Sequence, residues 1–99
     1  MNRLPKLGLA AMLVLLLSAA SARADYATGT VTELFPDQMQ FVIIDHEGKM
    51  LTFKMDEDAQ VYIDDRPAVL EDVMTGDRVE IIYRVEEADL LAIEVRITR

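Results

Sequence analysis

Apolar residues recur at every second position over most of the chain beyond residue 25. Val79, Ile81, Tyr83 and Val85 alternate with Arg78, Glu80, Ile82 and Arg84. Further on, Leu91, Ile93, Val95 and Ile97 alternate with Ala92, Glu94, Arg96 and Thr98. A period of two describes strands with one face in a core and one in water. Glu87-Ala88-Asp89 is the turn between these two. Earlier, Lys49–Met55 reads as a strand with Leu51, Phe53 and Met55 on one face and Met50, Thr52 and Lys54 on the other. Met39–Ile44 is its expected neighbour, joined through Asp45-His46-Glu47-Gly48, where Gly48 is free to take a positive φ. Tyr26–Phe35, rich in Thr, Val and aromatic residues, opens the series. Gly29 within it marks a bend or bulge, and Pro36-Asp37 ends it.

Between these strands the pattern changes. Asp56-Glu57-Asp58 interrupts the alternation. Val61-Tyr62-Ile63 and Arg66-Pro67-Ala68 flank Asp64-Asp65, which predicts a small extra hairpin, because Asp tolerates the left-handed backbone of a tight turn. Val69, Leu70, Val73 and Met74 have helical spacing and predict one short helix of about one and a half turns. Gly76 then stops it at positive φ. Phe41–Ile44, Ile81–Tyr83 and Leu90–Ile93 are apolar on both faces. If one face fills a core, Val42, Ile44, Ile82 and Leu90 lie outside it. They either pack under the short helix and hairpin or form an exposed partner patch.

The first residues obey another rule. Met1–Lys6 carries two basic side chains, Leu7–Ala20 is apolar apart from Gly8 and Ser18, and Ser21-Ala22-Arg23-Ala24 ends in an A-x-A pattern. These are the parts of a cleavable secretory signal, residues 1–24, and the run is too short for the roughly 20 apolar residues of a membrane anchor. The sequence holds no cysteine, so a lipoprotein anchor is excluded. The expectation is an exported protein, periplasmic or secreted, with no stable membrane insertion after cleavage and one domain over 25–99.

Removing the signal changes the charge. All 18 acidic residues lie at or after Asp25, while three of the ten basic ones precede it, so net charge falls from −8 to −11. Nucleic acid and anionic membrane surfaces are repelled. Without cysteine there are no disulfides, and a domain this small must hold by packing alone. A closed barrel suits it, since closure removes exposed sheet edges. Both serines fall within the signal and the remainder lacks cysteine, so the two commonest nucleophiles are missing. The expectation is a protein that is not an enzyme and needs no cofactor.

The arrangement Val61–Val79 (a strand, a turn ending Arg66-Pro67-Ala68, then Leu70-x-x-Val73-x-x-Gly76-Asp77-x-Val79) resembles small exported bacterial β-barrel domains of unknown function. Ala27-Thr28-Gly29-Thr30-Val31 at the start and Ala92-Ile93-Glu94-Val95-Arg96 at the end extend the likeness over nearly the whole domain. It implies a small five-stranded OB-like barrel with the short helix between the third and fourth main strands. Periplasmic copper and silver efflux chaperones are similar in layout, sharing Ala-Thr-Gly-x-Val and Gly-Asp-x-Val. In that family a histidine after the second strand and two methionines on the third bind Cu(I) under a tryptophan. His46 stands near the expected place. The methionine positions fall on Lys49 and Leu51, however; Met50 points to the opposite face, and there is no tryptophan.

Three functions follow as expectations. The first is a non-catalytic binding or structural module of the cell envelope, engaging a protein partner or a second copy through Val42, Ile44, Ile82 and Leu90. The second is a copper-binding chaperone-like protein using His46 and Met50, since soft Cu(I) favours thioether and imidazole. The third is a carbohydrate-binding barrel using Tyr26, Tyr62 or Tyr83. The acidic runs lack the D-x-D-x-D-G spacing of a calcium loop and read as solvated, and Met39, Met55 and Met74, which flank or alternate with apolar residues, read as core filling.

Overall fold

The computed structural model describes residues 24–99. The expected export signal falls, but for Ala24, outside the described residues. Six strands follow: β1 (Asp25–Phe35), β2 (Gln40–Ile44), β3 (Met50–Ile63), β4 (Arg66–Ala68), β5 (Arg78–Glu86) and β6 (Asp89–Ile97). Their order is β2-β1-β5-β6-β3-β4, and β2 also pairs with β3. That extra pairing closes five strands into a barrel and leaves β4 as an appendage on β3. All contacts are antiparallel except β3 with β6. A closed five-stranded barrel of this order, with one parallel contact and one crossover, is OB-like.

The barrel interior is filled. Phe41, Ile43, Phe53, Ile81, Ala92, Val95 and Ile97 are at most 2% exposed. Phe53 joins the two halves: its ring stacks on Phe41 at 5.5 Å and meets Tyr83 edge-on at 5.1 Å. Offset and edge-on pairs of this kind add roughly 0.5–1.5 kcal/mol beyond area burial.

Two β-bulges decide which apolar residues enter the core. In β1 the register against β2 shifts between Val31 and Glu33, so Val31 faces Ile43 and Leu34 faces Phe41. In β6 the shift opposes Ile82 and Tyr83 to Glu94 and Ala92. A bulge inserts one unpaired residue and reverses the in–out alternation beyond it. The expected inward face of β6 therefore holds only at Val95 and Ile97. Towards the strand start, Ala92 is fully buried and Leu90 packs against the core.

Three further expectations are corrected. The strand does not end at Asp56; β3 runs through the acidic stretch, absorbing it as a register shift against β6 between Met55 and Gln60. The short helix is only a 3₁₀ turn, Leu70–Asp72, with Val69 and Val73 extended on either side. Residues three apart eclipse in a 3₁₀ turn, so Leu70 and Val73 plug the barrel together while Val69 and Met74 stay exposed. Met39 and Met74, expected as core filling, are 47% and 57% exposed, and Met39 sits at φ 54° after the 3₁₀ turn Pro36–Gln38. The extra hairpin is present, with Asp64 and Asp65 both at positive φ.

Candidate functional site

The sheet β1-β5-β6-β3 presents a polar outer face built by strand register. Thr28 lies opposite Glu80, Glu80 opposite Arg96, and Arg96 beside Tyr62, a row across four strands. Arg96 is fully engaged. Its guanidinium pairs with Glu94 at 2.5 Å and Asp65 at 3.3 Å, and lies 4.6 Å over the Tyr62 ring. The Tyr62 hydroxyl in turn bonds Gln60. Tyr26, 61% exposed, stands beside Glu80, whose carboxylate pushes the phenol pKa up by accepting its proton in a hydrogen bond.

Below this row the face is concave. A cleft of about 680 Å³ is lined by Thr28, Gly29 and Thr30 of β1, by Arg78 and Glu80 of β5, and by Arg96 and Thr98 at the end of β6. Ile44 and the first residues of the β2–β3 turn complete it. Gly29 makes the close crossing possible, because a Cβ there would sit 2.5 Å from the Ile44 carbonyl oxygen. The glycine read as a bend is thus a contact point between two strands.

His46 reaches the cleft from the turn. Asp45 shapes that turn: its carboxylate accepts from the Glu47 and Lys49 amides, both at 2.9 Å, and those bonds hold its pKa below the usual carboxylate range. Met50 lies opposite Ile44, is 55% exposed, and is not among the residues lining the cleft. Leu51, not Met50, shares the inward face with Phe53. His46 and Met50 flank one turn without a third soft donor placed beside them. Among the described residues no group of three His, Asp or Glu side chains could hold a metal ion.

The apolar patch does not assemble either. Val42 is 7% exposed, while Leu90, packed on the core, keeps partial access as Ile44 and Ile82 do. Ile44 pairs with Thr30 and Ile82 with Tyr26, four residues apart along β1. The bulge in β6 explains Leu90, because face counting from a strict period of two fails once the register slips. Of the three tyrosines, Tyr26 and Tyr62 share the outer sheet face, whereas Tyr83 turns inward against Phe53. The cleft itself has no local sequence motif, since its residues come from four separate segments.

Closed-barrel topology with these strand lengths can be compared with solved structures. Silver-bound CusF from Escherichia coli superposes with a TM-score of 0.62 at 13% identity, covering 78% of this chain and 94% of that one. Apo-CusF from the same organism gives 0.61 at 13% identity, covering 78% and 89%. The chain shares its fold with CusF. Ag(I)CusF in a further crystal structure gives 0.58, with 97% of that chain covered. At this identity CusF speaks to the fold alone, and the layout is the one the sequence resembles. No family model and no curated protein matches the chain.

Proposed function

We propose that this protein is a non-catalytic binding module of the bacterial cell envelope, and that it binds through its outer sheet face. The observation that supports this is the contrast between interior and exterior. The barrel is packed solid with apolar side chains, and the one buried charged side chain among the described residues, Asp77, is engaged by Arg99. Its polar and aromatic groups converge instead on the concave face of β1-β5-β6-β3. A barrel filled by side chains has no chamber for a reaction, whereas its outer wall suits recognition. Export is part of the proposal: the exported protein is expected to begin at Asp25 by intact mass. The partner is an envelope protein or a second copy. Cross-linking from Thr28→Cys and Thr98→Cys, each labelled with a photoreactive group, should trap it. A probe at Val69→Cys, remote from that face, should not.

A second reading is favoured by the fold likeness to silver-bound CusF. It would place Cu(I) at His46 and Met50. Their placement argues against it, because one imidazole and one thioether form a weak pair. Calorimetry with Cu(I) is expected to give no stoichiometric sub-micromolar site. A tight site abolished by His46→Ala would establish this reading instead.

A further inference from the structure

We infer that the cleft beside β1 is a carboxylate-binding site in which Arg78 grips a single carboxylate group. The inference rests on the binding-module reading above and names the chemistry of its site. Seven basic residues follow Asp25. Four of them, Lys54, Arg84, Arg96 and Arg99, are committed to ion pairs. Arg78 lies in the cleft and, among the described residues, has no ion-pair partner, although acidic residues outnumber basic ones more than twofold. Its register places it opposite Thr30 on β1. On its other side is Thr98, one position past the Val79–Ile97 pair. Both threonines line the cleft, and among the described residues neither hydroxyl is engaged in a hydrogen bond. A planar guanidinium fork between two free hydroxyls matches a planar carboxylate in a bidentate pair. His46 adds a donor at the rim.

The surrounding charges select the anion. Glu80 and Asp45 also line the cleft, and the domain carries −11 overall. With Glu80 and Asp45 beside its one uncommitted cation, the cleft is already net negative, so a dianion meets about twice the repulsion that a monoanion does while both gain the same Arg78 pair. A monocarboxylate is therefore favoured over phosphate or sulfate. Ile44 and Val79 line part of the same cleft, and they suit a ligand with a short apolar stem next to its carboxylate.

The test is an amide NMR titration of the exported protein with N-acetylglycine and with acetate. Chloride and phosphate at equal ionic strength are the comparison. Saturable shifts are expected at Gly29, Thr30, Arg78 and Thr98 with the carboxylates, and not with chloride or phosphate. Arg78→Gln should weaken carboxylate binding at least tenfold and Arg78→Lys less, because the charge remains and the fork is lost. Arg66→Gln, at another basic residue without an ion pair among the described residues, should leave binding unchanged. Arg78 is exposed, so unperturbed spectra elsewhere will show that its variants fold. The inference is overturned if phosphate saturates the same amides as well as carboxylate does, or if Arg78→Gln binds as the parent does. It is equally overturned if none of these amides responds. In all three cases photo-cross-linking through the same face would still decide the binding-module reading separately.

Discussion

Gly29 and Gly76 are glycines for different reasons. At Gly76 the backbone has φ 95° with open space around the missing Cβ. At Gly29 the backbone is ordinary, and the Ile44 carbonyl leaves no room for a side chain. Gly76→Val is expected to lower stability by roughly 1–3 kcal/mol through backbone strain. In a domain of this size that shifts the melting temperature by several degrees or more, which calorimetry or circular dichroism will read. Gly29→Ala should be comparably harmful despite being the smaller change, since strand backbone must move to admit one methyl. If Gly29→Ala melts with the parent protein, β1 and β2 do not cross as described. Sequence reading found the Gly76 turn, because a glycine after an apolar stretch has a local cause. It missed the meaning of Gly29, whose cause is a carbonyl fifteen residues away.

Among the elements, the segment between β4 and β5 depends most on one ion pair. Arg99 donates to both carboxylate oxygens of Asp77, at 3.1 and 2.8 Å, and to the Asp72 carbonyl at 2.8 Å. Asp77 also accepts from the Met74 amide, while its own carbonyl and the Gly76 amide bond to Val31. The plug of Leu70 and Val73 is thus tied to β1 and to Arg99, two residues past the end of β6. Arg99, and after it the Met74 amide, holds the Asp77 pKa below the ordinary carboxylate value. A lowered folded pKa means that this stabilisation is fully present above about pH 4, the unfolded value, and is lost as pH falls through the folded one. Asp77→Asn should therefore cost about 1–3 kcal/mol at pH 7, leaving Arg99 without its charged partner. The difference from the parent should shrink towards zero as pH falls through the lowered folded pKa of Asp77, measured by urea unfolding from neutral into acid. A gap that persisted in acid would assign the loss to packing rather than charge.

For the whole molecule, most strands and the Asp64-Asp65 turn of the extra hairpin were legible in periodicity and turn chemistry, and the five-stranded barrel in the family resemblance, but not the continuity of β3 through Asp56–Asp58. The faces were not. Each bulge adds one residue to one strand, and nothing local in Thr32 or Ile93 announces it. The slip in β6 turned Leu90 against the core and away from the expected patch. The candidate cleft was illegible for a related reason: Thr30, Arg78 and Thr98 become neighbours only when three strands align. Of its residues, Ile44 was visible beforehand as a patch candidate and His46 as the single histidine of the chain.

The parallel contact between β3 and β6 is also a statement about time. Phe53 meets Leu90 and Val61 meets Val95, so β3 waits more than thirty residues for its neighbour. Tyr26 waits longer still for Ile82. Loop closure must precede these pairings, which places refolding in the millisecond-to-second range typical of barrels dominated by non-local contacts. A stopped-flow phase in microseconds would mean that the hairpins carry the stability by themselves. Until β6 emerges, the chain can form hairpins but cannot close. A protein threaded through a membrane from its first residue would thus remain slack until its last strand is across.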